Sequence, residues 1–227
     1  MARAPSPRPP ARKWGAGTAA IVRLLIAADA PLTQVTIADA VGVTQPRASQ
    51  VLKQLVAANA VSVSASGYRG KRARLLDQYA ERARPHLVAP EAFWYSTHPL
   101  MDQAHRIVNV ARRARVEIAF SADLGPDLLV PWRHPTVTIV YAEDEVALES
   151  ARLVPAEGRA DATVLWRTTD DRTLLTTGDR PATIDGIPIT DPVQQWWDLR
   201  DLGGEDRLEA ADRLRRAIID QTLTTLT

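Results

Sequence analysis

The chain has 227 residues, 45% hydrophobic and 24% charged, the balance of a soluble globular protein with a real core and room for two domains. It has no cysteine, which excludes disulfides, thiolate zinc sites and thiol nucleophiles and makes the cytoplasm the default location. Its net charge of +1 hides an asymmetry: residues 1–84 carry 13 Lys and Arg against four acids, a net +9, and the remainder is −8. A basic half is the electrostatic footprint of a phosphate-binding module.

No membrane partner is expected, because apolar stretches such as residues 18–30 are broken by Arg23 and Asp29 and fall short of the ~20 residues a span needs. Residues 1–16 are proline-rich, with Arg3, Arg8, Arg12 and Lys13, and lack the apolar region of a secretory signal. They read as an extended arm, either an idle leader or a strap along phosphates or a minor groove.

From Thr18, the residues Ile21, Val22, Leu24, Leu25 and Ala28 recur at helical spacing up to Asp29-Ala30-Pro31. A second helix is predicted after the capping residue Thr33, with Val35, Ile37, Ala38 and Val41 facing inward and Gly42 closing it. A third follows, with Thr44 placed to cap, Pro46 in the first turn, and Val51, Leu52, Leu55 and Val56 as its buried stripe. That leaves Gln45, Arg47, Ser49, Gln50 and Lys53 on the other faces. A major groove admits a helix, and these side chains match base edges: Arg to guanine, Gln to adenine, Ser to either.

In VSVSASGYRGKRARLL, Val61 and Val63 alternate with serines, a turn falls at Ser66-Gly67, and a return strand is predicted to carry Tyr68, Arg69, Lys71, Arg72 and Arg74. Such a basic hairpin, its tip loosened by Gly67 and Gly70, suits contacts to the sugar-phosphate backbone. By the order and spacing of these elements and the Gly42 turn, residues 18–76 resemble a winged helix-turn-helix of bacterial regulators. The resemblance implies sequence-specific binding of double-stranded DNA, with Thr44, Gln45, Arg47, Ser49, Gln50, Lys53, Tyr68, Arg69, Lys71 and Arg72 as the contact set. Three-helix bundles that dock proteins share the pattern; the +9 charge, the polar third helix and the basic hairpin favour DNA.

Beyond a basic helix in DQYAERARP, Pro85 and Pro90 mark a boundary. The expected organisation is an arm over 1–16, a winged helix-turn-helix over 17–84 and a mixed α/β domain over 85–227, an α+β chain overall. In the last part the pattern predicts a helix over His98–Arg115, a strand in VEIAF, a short helix closed by Pro131, and a strand over Thr136–Tyr141. An acidic helix over Asp144–Leu153 follows, then strands in ATVLWRT and RTLLTT and a short strand around the Asp-Gly turn of IDGIPIT. Two final helices are split by Gly203-Gly204, the first opened by Pro192 and the last carrying Leu208, Ala211, Leu214 and Ile218.

The order DLLVPWRHP, VYAEDE, then IDGIPITDPVQQWWDLRDLGGEDRLEAADRLR resembles the C-terminal domain of AbiEi-type antitoxins of type IV toxin-antitoxin systems, over most of residues 115–220. Its most distinctive part is the helix start Asp191-Pro192-Val193-Gln194, followed by Asp198-Leu199 and the Gly203-Gly204 break. The double tryptophan Trp196-Trp197 departs from the single aromatic or aliphatic pattern expected there. The resemblance implies a repressor of its own promoter that binds inverted repeats and counteracts a nucleotidyltransferase-like toxin, with a homodimer and a toxin protein as partners. A regulator whose C-terminal domain senses a small molecule is the alternative. Trp132, Trp166, Trp196 and Trp197 are either interface anchors or core.

Catalysis is not expected. The carboxylates Asp123, Asp127, Glu143, Asp144, Glu145, Asp170 and Asp171 fall on predicted turns and helix starts, where capping explains them. The histidines lack metal-binding spacing, and phosphate loops and nucleophile elbows are missing. No cofactor is expected.

Overall fold

The computed structural model describes residues 13–125, 135–176 and 182–223. Among these, the chain is α+β, with seven α-helices, a two-stranded hairpin and a seven-stranded mixed sheet. Residues 1–12 of the arm expected over 1–16, Asp127, the short helix closed by Pro131, and Trp132 lie outside the described residues; the end of that arm is part of the fold, with Trp14 buried in the core and Ala16 opening a helix. No helix among the described residues is long and apolar enough to cross a membrane.

Helix α1 (Ala16–Ala27) is buried nearly all round, from Thr18 to Ile26, as a helix surrounded by others must be. Helices α2 (Gln34–Val41), α3 (Gln45–Ala57) and α4 (Arg72–Arg82) pack against it. Between α3 and α4 runs the hairpin of β1 (Val61–Ser64) and β2 (Gly67–Gly70), paired from Val61↔Gly70 to Ser64↔Gly67. Two residues expected inside are outside: Val35 is 49% exposed and Val56 37%. On α3 the core row is Ala48, Val51, Leu52 and Leu55; Val56, one residue on, turns by about 100° onto the flank.

The return strand is shorter than predicted. It stops at Gly70, and the Lys71 N–H donates to the Ala60 carbonyl at 2.9 Å. The chain then enters α4 at once, which buries Leu75, Leu76 and Tyr79, so Arg72 and Arg74 lie on a helix and not on the hairpin.

The large sheet has the order β6-β3-β7-β5-β4-β9-β8. Its central strands β4 (Ile118–Ala122), β5 (Thr138–Ala142) and β7 (Val164–Thr168) are buried on both faces, the condition in which continuous apolar runs are favoured. Strand β5 pairs with β7 in parallel and with β4 antiparallel, while β4 runs parallel to β9 (Ile187–Ile189). Strands β3 (Ala92–Tyr95), β6 (Val154–Pro155) and β8 (Ala182–Ile184) complete it. The IDGIPIT segment forms the β8–β9 hairpin, with Asp185 and Gly186 both at positive φ, the demand of a type I′ turn.

Alternation divides the two faces. Ile118, Phe120, Val140, Val164 and Trp166 join the core under α5 (Leu100–Ala114), and Ala119, Ile139, Tyr141 and Leu165 point the other way. Two predicted elements are replaced by single 3-10 turns. The expected helix over Asp144–Leu153 is only Leu148–Ala151, because Arg152 turns left-handed (φ 63°) to deliver the chain to β6. In place of the expected strand RTLLTT, the described residues 172–176 hold a turn over Arg172–Leu174, in which the Asp171 carboxylate accepts the Thr173 N–H and Leu174 and Leu175 are buried.

Helices α6 (Pro192–Leu202) and α7 (Glu205–Asp220) return to the N-terminal helices. Val193, Trp196, Trp197, Leu199, Ala211, Leu214 and Ile218 share one core with α1, α3 and α4, which therefore crosses the expected boundary at residue 84. Leu208, expected on the buried face of α7, is 44% exposed. Trp166, Trp196 and Trp197 are core residues.

Candidate nucleic-acid interface

Helices α2 and α3 meet across a tight turn: Gly42 sits at φ 71°, and the Val43 N–H donates to the Ala38 carbonyl at 3.0 Å. Thr33 caps α2 through its side chain, accepting the Thr36 N–H at 3.1 Å. Thr44 occupies the corresponding position on α3, but its hydroxyl makes no capping bond. The Gln34 side chain donates to the Gln45 carbonyl at 3.3 Å and pins the two helices.

With Ala48, Val51, Leu52 and Leu55 inward, the row of α3 farthest from the core is Pro46, Gln50, Lys53 and Ala57, all exposed. Gln45 and Arg47 are exposed on its flanks and Ser49 is half-buried. Arg47 is anchored: its Nη2 donates to Thr18 Oγ1 on α1 at 3.0 Å, and its Nη1 donates to Gln50 Oε1 at 3.0 Å. Helices α6 and α7 contact α1 and α4, so α3 keeps an open face. From residue 40 to 76 there is no acid, against six cations.

The hairpin cations are oriented by their own fold. Tyr68 is half-buried, and its backbone exchanges two hydrogen bonds with Leu32, at 2.8 and 2.9 Å. Arg69 Nη2 donates to the Asp29 carbonyl at 3.1 Å, and Lys71 Nζ donates to Asn59 Oδ1. Arg72 directs its fork to the α1 terminus, donating to the carbonyls of Ile26 at 2.8 Å and Ala28 at 2.6 Å. It satisfies carbonyls that a helix end leaves without partners. The expected backbone-approaching glycines serve the fold itself: a Cβ on Gly70 would lie 2.5 Å from the Leu25 carbonyl oxygen, and one on Gly67 would collide with that of Leu32.

Behind this surface lies a polar network that the sequence reading passed over. Arg23, on α1, is 5% exposed. Its Nε pairs with Asp191 Oδ2 at 2.8 Å, Nη2 with Asp171 Oδ2 at 3.4 Å, and Nη1 donates to the Tyr79 hydroxyl at 3.1 Å. Tyr79 donates to Gln194 Oε1 at 2.8 Å, and Gln194 Nε2 donates to the Tyr141 hydroxyl at 2.9 Å. Tyr141 and Arg167 Nη1 each donate to Asp198 Oδ1 at 2.8 Å, and Ser121 donates to Oδ2 at 2.6 Å. Burial pushes the Asp191 and Asp198 carboxyls up, opposed by the charges of Arg23 and Arg167. Asp191 also caps α6, accepting the N–H groups of Val193 and Gln194. The members are buried apart from the partly exposed Asp191, so the network is a joint between the helices and the sheet. The signal in the sequence was Arg23, a charge on an otherwise apolar helix face, which demands buried partners.

Of the carboxylates considered for catalysis, Asp123 is held by Arg207 at 2.7 and 2.9 Å, and Asp171 by Arg23. A groove of about 230 Å³ lies between α5 and the β8–β9 hairpin, lined by Val108, Val116, Ile118, Leu175 and Pro188, with Arg112 at its rim. No family model, curated protein or solved structure matches this chain.

Proposed function

We propose that the chain is a sequence-specific DNA-binding regulator, in which α1 to α3 and the β1–β2 hairpin form a winged helix-turn-helix and α3 enters the major groove. The observation that carries this reading is the free outer row of α3. Gln50 and Lys53 project from it, Gln45 and Arg47 flank it, and the rest of the molecule is docked on α1 and α4. Six cations without an acid over residues 40–76 supply the field that a phosphate backbone requires. Arg69, Lys71 and Arg74 are exposed, whereas Arg72 is committed to the end of α1.

The test is binding of the full chain to its own upstream region and to random duplex, over a range of salt. Preference for the upstream region is expected. Lys53→Ala should weaken all duplexes and reduce the slope of log affinity against log salt by about one unit. Equal affinity for both duplexes, or a slope unchanged in Lys53→Ala, overturns the reading.

The resemblance over residues 115–220 extends the proposal to an antitoxin that represses its own promoter. Rescue of growth on co-expression with an adjacent nucleotidyltransferase-like toxin tests that extension, and failure to rescue removes it. For the sensing alternative, the groove between α5 and the β8–β9 hairpin, at about 230 Å³, is itself small against the ~300–1,000 Å³ of ordinary ligand sites.

A further inference from the structure

We propose that Arg47 and Gln50 act as one hydrogen-bonding unit that shows a duplex mainly donors, so that α3 selects guanine, not adenine, at the base this pair reaches. This rests on the DNA-binding reading above and deepens it.

The two side chains lie three residues apart on α3, one turn along the same side of the helix. Gln50 belongs to the outermost row, and Arg47 stands on the flank toward α1. The guanidinium is held at both ends, by Thr18 Oγ1 and by Gln50 Oε1, each at 3.0 Å. Thr18 is only 6% exposed and part of α1, so one end of the contact is fixed to the core of the fold.

A guanidinium has five donors and no acceptor. The Gln50 amide must therefore turn its oxygen toward Arg47, because the opposite orientation sets donor against donor. Its NH₂ group then faces outward, beside the N–H groups of Arg47 that remain free. A glutamine that reads adenine uses both ends: its oxygen accepts from the adenine amino group while its NH₂ donates to N7. Here one of the two lone pairs of that oxygen already accepts from Arg47, which makes it a poorer acceptor for the adenine amino group. Guanine offers two adjacent acceptors, N7 and O6, whereas adenine and cytosine each present an amino donor to the same edge. The positive charge of Arg47 strengthens the preference for the two-acceptor edge. Thr18 is then a positioning residue: it contacts no base and acts by holding Arg47.

Selection of bound duplexes from a random-sequence pool, using the full chain, tests this. Wild type should enrich guanine over adenine by on the order of tenfold at one position in the α3 footprint, and Gln50→Ala should flatten that position. Arg47→Ala frees the glutamine oxygen and should move the same position toward adenine. Thr18→Val, close in shape to the native side chain, should reduce the guanine preference without a gain of adenine. Adenine enriched by wild type at the position that Gln50→Ala flattens overturns the proposal, as does a guanine preference unchanged in both Arg47→Ala and Thr18→Val. A pool with no enriched sequence overturns the DNA-binding reading itself, so the two failures are distinct.

Discussion

Arg23 Nε donates to Asp191 Oδ2 at 2.8 Å, joining the centre of α1 to the N-cap of α6 across 168 residues of chain. The Arg23 side chain is 5% exposed and that of Asp191 14%, and the Asp171 carboxylate closes the other side of the guanidinium at 3.4 Å. Removing one member of a buried ionic cluster leaves the others uncompensated, at a cost of about 3–5 kcal/mol. Arg23→Met is therefore expected to lower the urea unfolding midpoint sharply. The triple variant Arg23→Met, Asp171→Asn, Asp191→Asn should recover part of the loss, since it removes the stranded charges together. Single and triple variants of equal stability would show that the cluster is not electrostatically coupled.

The reach of that pair also explains what could be read without coordinates. Helices α1 to α3 were legible because each repeats its apolar residues at its own period and is punctuated by a local signal, Pro31, Gly42 or Pro46. The exposed polar face of α3 followed from the same periodicity. Arg72 was misplaced because the residues after Gly70 read as strand or helix by local pattern alone; the decision is made by Leu75, Leu76 and Tyr79 finding α1. Strand β3 was missed for a similar reason, since its partners, Val164–Trp166 and Val154–Pro155, are about 60 residues or more away. The shared core of Trp196 with Ile21 and Leu25 is a property of packing that no window of sequence contains.

That shared core leads to a second expectation. Trp196 is 1% exposed and lies with the helices of the proposed reading head, not with the sheet. Trp196→Ala should cost about 3–5 kcal/mol, the range for deleting a buried aromatic. A fragment ending at residue 84 would expose the apolar surfaces of α1 and α4 that α6 and α7 cover. It should show no cooperative thermal transition by circular dichroism. A fragment that melts cooperatively would assign the first 84 residues their own sufficient core.

The glycines of the hairpin give a third. Gly70 approaches α1 so closely that an added Cβ would meet the Leu25 carbonyl oxygen at 2.5 Å and the Leu75 side chain at 2.7 Å. The backbone oxygen sits at the end of a packed helix and cannot move freely, so Gly70→Ala should cost about 1–3 kcal/mol through overpacking. Gly158→Ala, with nothing near its added carbon, is the control expected to leave the melting temperature nearly unchanged. Equal melting temperatures in the two variants would mean that the hairpin can lift from α1.

Acid should loosen the joint between β4 and α7 in a predictable direction. Burial by itself raises the Asp123 carboxyl, but hydrogen bonds and charge from Arg207, with the N–H groups of Thr136 and Val137, outweigh it and hold the group below its ordinary value. A carboxyl with a lower pKa in the folded chain than in the unfolded one contributes stability above the unfolded value, ~3.9. That contribution is lost as pH falls through the folded value. Asp123→Asn should therefore be less stable than wild type by about 1.5–3 kcal/mol at pH 7, the range for hydrogen bonds to charged groups. Other carboxylates also titrate in acid, so the quantity to follow is the difference between the two proteins in urea unfolding, from pH 7 down to pH ~2.5. The difference should hold down to about pH 4 and then shrink as Asp123 takes up its proton. A difference that stays constant or widens in that window would mean that Arg207 does not stabilise the ionised carboxylate.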